Sequence, residues 1–209
     1  MKIVAIEGGI SAGKSTLLPA LAIHMTAKTG SDWSIIKEPV DENPEFHRLL
    51  KQFIANPTDA NKRAEFQMFI TRTRHALLQG IEDGNYLIER SLYSDIVFTQ
   101  ANMLSTEGPT GEYQASYYDI KEHFKTYPRI DVVVYLDRNP AACLASMRQR
   151  DRSGEGDGYT LEYFEDLNNF HLACLPQVTR TYGAKFFSHK LGNRFADARI
   201  LSEEIVQTL

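Results

Sequence analysis

Gly8-Gly9-Ile10-Ser11-Ala12-Gly13-Lys14-Ser15-Thr16 follows directly on the apolar run Ile3-Val4-Ala5-Ile6. The stretch fits G-x-x-x-x-G-K-S/T, a phosphate-binding loop, in the setting that motif requires. A short buried strand feeds a glycine turn, and a helical pattern follows at Leu17, Leu18, Leu21, Ala22 and Met25. Glycines let successive backbone N–H groups curl around phosphate oxygens, and the helix N-terminus adds partial positive charge. The pattern places Lys14 on the terminal phosphates of a nucleotide and Ser15 on Mg²⁺. It does not match G-x-G-x-x-G, which disfavours a dinucleotide fold.

Working outward, apolar strand-like runs alternate with longer helical patterns. The strand candidates are Lys2–Ile6, Trp33–Lys37, Tyr86–Glu89, Val132–Leu136 and Lys185–Ser188. Alternation of this kind predicts βαβ units and a five-stranded parallel sheet covered by helices on both faces. Ligands of such sheets sit beyond the carboxyl ends of the strands. The places to look are therefore the loop after the first strand, Glu38-Pro39-Val40 after the second, Glu89-Arg90-Ser91 after the third and Asp137-Arg138-Asn139-Pro140 after the fourth. Asn139-Pro140 reads as a helix start with proline in the first turn.

At 209 residues the chain reads as one domain spanning 1–209, with 43% hydrophobic and 24% charged residues. A net charge of −4 argues against a nucleic-acid partner. Cys143 and Cys174 are too few and too far apart for a disulfide framework or a zinc site, and they read as buried thiols. The six histidines show no ligand spacing. The N-terminal residues read as a strand, and no apolar run approaches bilayer-spanning length, so the expectation is a cytoplasmic protein that engages no membrane.

The residue types at the strand ends suggest chemistry, each beside a plainer alternative. Glu38 can accept a proton from a substrate hydroxyl, or be a solvated strand-end carboxylate. Glu89 can serve a metal ion and Arg90 a transferring phosphoryl group, or the two can form an ion pair. Arg148, Arg150 and Arg152 run into Ser153-Gly154-Glu155-Gly156-Asp157-Gly158, a composition suited to a lid over 148–158 that closes on phosphates, or to a helix end complementing its own dipole. Gln67 and Arg74 share a face of one predicted helix; spacing alone favours an exposed polar stripe over a base-reading pair. The aromatic residues Phe46, Phe53, Phe66 and Phe69 read mostly as core, with one or two able to stack on a base. Asn61-Lys62-Arg63-Ala64 lacks the aspartate of a guanine-reading N-K-x-D motif.

Taken together, Ile6–Thr16, Glu38-Pro39-Val40, Phe66-Gln67, Glu89-Arg90-Ser91-Leu92-Tyr93-Ser94-Asp95 and Arg148-Gln149-Arg150-Asp151-Arg152-Ser153 resemble the deoxynucleoside kinase family, which includes deoxycytidine, deoxyguanosine and bacterial deoxyadenosine kinases. The resemblance implies a three-layer P-loop kinase fold and transfer of the γ-phosphoryl group of ATP-Mg²⁺ to the 5′-hydroxyl of a deoxynucleoside, a salvage step. By carry-over, Glu38 is the general base and Arg90 supports it and the transferring group. Gly8, Gly9, Ile10, Ser11, Ala12, Gly13, Lys14, Ser15 and Thr16 hold the donor, aided by lid arginines Arg148, Arg150 and Arg152. Ser15 and Glu89 form the magnesium shell. Glu155 grips the sugar 3′-hydroxyl, Gln67 reads the base, and Arg74 with Asp95 lies against the base edge. The family implies a homodimer. The chain departs from it at Gly9, where many members carry asparagine, at Asn43, where cytidine-type members carry tryptophan, and at Ile96, where an arginine is often seen. Phe53 and Ile54 occupy the region of the family's sugar-binding tyrosine.

An arginine–aspartate pair suits a base edge carrying an amino group and leaves no room for a thymine methyl. The expectation is deoxyadenosine first, then deoxyguanosine or deoxycytidine. A nucleoside monophosphate kinase is the nearest rival, although Glu38 would repel an acceptor phosphate there. A P-loop switch ATPase is disfavoured by the missing N-K-x-D motif.

Overall fold

The computed structural model describes residues 1–38, 43–104, 111–150 and 158–209. Five parallel strands, β1 (Lys2–Gly8), β2 (Trp33–Ile36), β3 (Asn85–Glu89), β4 (Val132–Arg138) and β5 (Lys185–Gly192), form one sheet in the order β2-β3-β1-β4-β5. The helices among the described residues are α1 (Lys14–Thr29), α2 (Pro44–Ala55), α3 (Ala60–Leu77), α4 (Leu92–Leu104), α5 (Gly111–Phe124), α6 (Pro140–Arg150), α7 (Leu161–Thr181) and α8 (Ala198–Thr208). All five expected strands form. β2 stops at Ile36, one residue short of the expected end.

The strand sequences explain the layering. Val132-Val133-Val134-Tyr135-Leu136 is buried at every position, the mark of a parallel strand covered on both faces. Alternate residues feed two cores. Val4, Ile6, Leu87 and Val134 pack with Leu18, Leu21 and Met25 of α1 and Leu201 and Ile205 of α8. Ile3, Ala5, Ile88, Val133 and Tyr135 pack on the other face with Tyr93 and Val97 of α4 and Leu175 of α7.

β1 is the middle strand: Val4 faces Leu87 of β3 on one side and Val132 of β4 on the other. From β1 the chain runs outward to β2, returns to β3, and then crosses to β4 and β5. That reversal opens a crevice at the carboxyl end of β1. Helix starts are fixed locally. The Asn43 side chain accepts from the N–H groups of Glu45 (3.0 Å) and Phe46 (3.3 Å), with Pro44 at the first helical position. Asn43, a departure from the family pattern, is therefore used as the N-cap of α2. Pro140 opens α6, with Asn139 Oδ1 accepting from Ala142 N–H at 3.1 Å. Both cysteines are free thiols: Cys143 is buried and Cys174 half-buried.

Candidate active site

The loop between β1 and α1 carries the motif that opened the sequence. Gly13 adopts φ 100°, and a Cβ there would lie 2.5 Å from the Phe195 ring, so both backbone and space demand glycine. Lys14 is buried, and its Nζ donates to the carbonyls of Gly9 (2.8 Å) and Gly8 (3.2 Å). Burial, and then the Arg90 cation, push the Lys14 ammonium down to about 7. Ser15 Oγ–H donates to Glu89 Oε1 at 2.6 Å. The two residues assigned by resemblance to a magnesium shell thus meet across β1 and β3. Hard oxygen ligands in small number, completed by substrate phosphates, are what Mg²⁺ takes, so this pair fits the ion. Among the described residues no group of three His, Cys, Asp or Glu side chains is placed to hold a metal.

Beside the loop lies a cavity of about 200 Å³ lined by Lys14, Ser15, Glu38, Gln67, Arg74, Glu89, Arg90, Asp95 and Arg150, with Phe46, Leu50, Phe66, Ile70, Phe98 and Tyr159 as its apolar walls. Glu38 enters from the end of β2. Arg74 Nη2 donates to Glu38 Oε1, and Arg90 Nε lies 3.6 Å from Glu38 Oε2. Burial pushes the Glu38 carboxyl up, but Arg74, Arg90 and Lys14 together hold it below the usual carboxylate range. Arg74 Nη1 also donates to Asp95 Oδ1, and Asp95 is fully buried.

Arg90 pairs with Glu38, not with its neighbour Glu89. Its backbone is left-handed, φ 64°, which costs a non-glycine residue about 1–2 kcal/mol. Its N–H donates to Ile6 O at 3.1 Å, and Ser91 Oγ–H donates to the buried Glu7 carboxyl. Burial raises the Glu7 pKa. The Arg90 guanidinium lies 4.8 Å from the centre of the Phe98 ring, which packs edge-on against His171. Burial pushes His171 down to about 3, so the imidazole beneath that ring is neutral.

Gln67 and Arg74 correct the expectation drawn from spacing. They are not an exposed stripe. Arg63, Gln67, Thr71 and Arg74 form the buried face of α3, closed in by α2, α4 and α5. Gln67 Nε2 lies 3.5 Å from Thr71 Oγ1. Of the four phenylalanines, Phe46 and Phe66 line the cavity. Phe53 packs on Phe66 and carries the Arg63 guanidinium at 4.1 Å. Of the arginine cluster, Arg150 lines the cavity and Arg148 does not. Arg152 and Glu155 lie outside the described residues, as do Pro39 and Val40.

Phe195 and Phe98 were not singled out by sequence reasoning, and Arg138 and Glu7 were named only within the stretches Asp137–Pro140 and Ile6–Thr16, without a role. Arg138 Nη1 donates to Ser11 O at 2.9 Å, and its guanidinium stacks 3.8 Å over the Phe195 ring, so the two brace the loop from behind. The position of Arg138 at the end of a strand was the available signal. Phe195 and Phe98 offered none, because only the fold brings them to the site.

The deoxynucleoside kinase family model matches residues 4–208, nearly the whole chain. The chain belongs to the deoxynucleoside kinase family. Deoxycytidine kinase 2 of Gallus gallus is 28% identical over 203 residues, covering 84% of this chain and 74% of that protein. Deoxyguanosine kinase of Lactobacillus acidophilus is 25% identical over an alignment covering all of this chain and 91% of its own. The structure of deoxyadenosine kinase from M. mycoides with bound dATP shares the fold, with a TM-score of 0.69, 24% identity and coverage of 98% and 97%. The chain is a deoxynucleoside kinase of the parallel-sheet P-loop type, and as a kinase it uses a nucleotide phosphoryl donor. Among the described residues, no helix of this kinase is long and apolar enough to cross a membrane.

Proposed function

We propose that this kinase transfers the γ-phosphoryl group of ATP-Mg²⁺ to the 5′-hydroxyl of deoxyadenosine, with deoxyguanosine and deoxycytidine as weaker acceptors. The observation that carries the reading is the position of Glu38. It is a half-buried carboxylate between two arginines, in the same cavity as Lys14 and Ser15.

In this reading the 5′-hydroxyl oxygen forms the new bond to the γ-phosphorus while its proton passes to a Glu38 oxygen. The bond from that phosphorus to the bridging oxygen breaks, and ADP leaves. Lys14 moves from the Gly8 and Gly9 carbonyls onto the donor phosphates. Arg90 and Arg150 meet the charge spread over the transferring oxygens, and each such contact is worth about 3–4 kcal/mol in the transition state. Ser15 and Glu89 would hold magnesium, whose chemistry there is to neutralise phosphate charge. Gln67 and the Arg74–Asp95 pair face the base. Asp95 Oδ2 is buried without a partner among the described residues, an acceptor for an amino group on the base edge, and the Arg74 guanidinium beside it is the donor for a ring nitrogen. Arg148, Arg152 and Glu155 belong to the lid, Glu155 on the sugar 3′-hydroxyl. The family resemblance supports a single-domain cytoplasmic salvage enzyme working as a homodimer.

Steady-state phosphorylation with ATP-Mg²⁺, the four deoxynucleosides and their monophosphates tests the reading. Turnover of nucleosides with deoxyadenosine preferred by kcat/KM is expected. Turnover of monophosphates alone would remove Glu38 as the base, and thymidine as best acceptor would refute the Arg74–Asp95 argument.

A further inference from the structure

Arg74 joins two parts of the cavity that serve different ends. Nη1 donates to Asp95 Oδ1 and Nη2 to Glu38 Oε1. The guanidinium is 5% exposed, the Asp95 side chain 1% and the Glu38 side chain 18%, so water screens this chain of charges weakly. The group that faces the base therefore holds the carboxylate that must take the proton. With Arg90 on its other oxygen, Glu38 has both oxygens engaged by cations.

A carboxylate bound in this way is a weak base. Arg74 from α3, Arg90 from the end of β3 and Lys14 from the phosphate loop all favour its ionised form. Asp95 of α4, on Arg74, and Glu7 of β1, which feels both Arg74 and Arg90, are the carboxylates that compete for these cations. Among the described residues Glu38 is the partner of Arg74 Nη2, so drawing it off Glu38 without a ligand would leave a buried donor unpaired.

We propose that Arg74 makes phosphoryl transfer conditional on the base. A nucleobase edge that presents a hydrogen-bond acceptor draws Nη2 off Glu38, and only then is Glu38 Oε1 open to the 5′-hydroxyl proton. The inference rests on the reading of Glu38 as proton acceptor and Arg74 as base contact. It adds that the base selects through kcat, because part of its binding energy is spent on freeing Glu38. An acceptor that fills the cavity without engaging Arg74 binds and reacts slowly.

The wild-type kinase tests this with deoxyadenosine and its 1-deaza, 3-deaza and 7-deaza analogues, each lacking one ring acceptor. One analogue should lose kcat by on the order of 100-fold, with KM changed much less. Unchanged kcat in all three overturns the proposal. The second arm uses Arg74→Gln/Asp95→Asn, which replaces the buried ion pair with an amide pair and leaves no uncompensated charge. In this variant the kcat for the affected analogue should approach that for deoxyadenosine. The acid limb of its kcat/KM profile should move to higher pH, because Glu38 loses one of its cations. A variant that raises KM alone, with the analogue still slow and the acid limb unmoved, also overturns it. Absence of transfer from wild type to any deoxynucleoside would instead overturn the functional reading beneath it.

Discussion

Ser15 Oγ–H donates to Glu89 Oε1 at 2.6 Å, joining the first helical turn after the phosphate loop to the end of the neighbouring strand. The register of β1 against β3 sets this contact, with Ile6 opposite Glu89. The two oxygens proposed to hold magnesium are thereby already side by side. Glu89→Gln keeps the shape and removes the charge. It should raise the Mg²⁺ concentration needed for half-maximal activity by ~10–100-fold, the range seen when a partner of a metal site is lost. A magnesium titration of kinase activity checks this, and an unshifted midpoint would remove Glu89 from the shell.

Glu38→Gln should leave donor binding intact while kcat falls ~10²–10⁴-fold, the range for loss of a general base. Single-turnover rates beside equilibrium ATP binding separate the two. A kcat close to wild type would mean that Glu38 only neutralises Arg74 and Arg90.

Lys14 sits at about 7 because burial, and then Arg90, disfavour its charged form. Between that value and the ordinary lysine range, the folded protein carries it neutral and the unfolded chain carries it charged. The unfolded state binds the extra proton, so this group's contribution to stability rises with pH across that window. Polyphosphate in the loop reverses the preference. Calorimetry of ATP binding near about pH 8, in two buffers of different ionisation enthalpy, should report uptake approaching one proton per site. Lys14→Arg, which stays charged, should bind with no such uptake. Equal uptake in the variant would assign the proton to another group.

Gly13 and Gly9 separate two reasons for glycine in one loop. Gly13→Ala puts a methyl group against Phe195 on a left-handed backbone, a conformational cost alone of about 1–2 kcal/mol. Both melting temperature and ATP affinity should fall. A Cβ at Gly9 meets nothing within 4 Å, so Gly9→Asn, the residue common in the family, should move the melting temperature by no more than about 1 °C. Differential scanning calorimetry of the two variants checks the contrast; equal losses would contradict it.

Much of this was legible in the chain itself. Short continuous apolar runs such as Val132–Leu136, alternating with longer helical patterns, fit a sheet covered on both faces, and the loop motif identifies its own strand and helix. Strand ends then point to Glu38, Glu89 and Arg90, because ligands of parallel sheets sit beyond the carboxyl ends of the strands. Spacing failed at α3. A helix carrying Arg63, Gln67, Thr71 and Arg74 at turn intervals reads as polar and exposed, since periodicity reports which residues share a face and not what covers it. Only the packing of α2, α4 and α5 around α3 buries that polar face and brings Gln67 and Arg74 to the wall of a cavity. The contacts between distant residues were likewise decided in three dimensions: Arg74 with Glu38 and Asp95, Arg90 over Phe98, and Arg138 over Phe195. Local sequence sets elements and their ends through backbone sterics and apolar burial. Which charges share a cavity depends on the strand order, which no local pattern encodes.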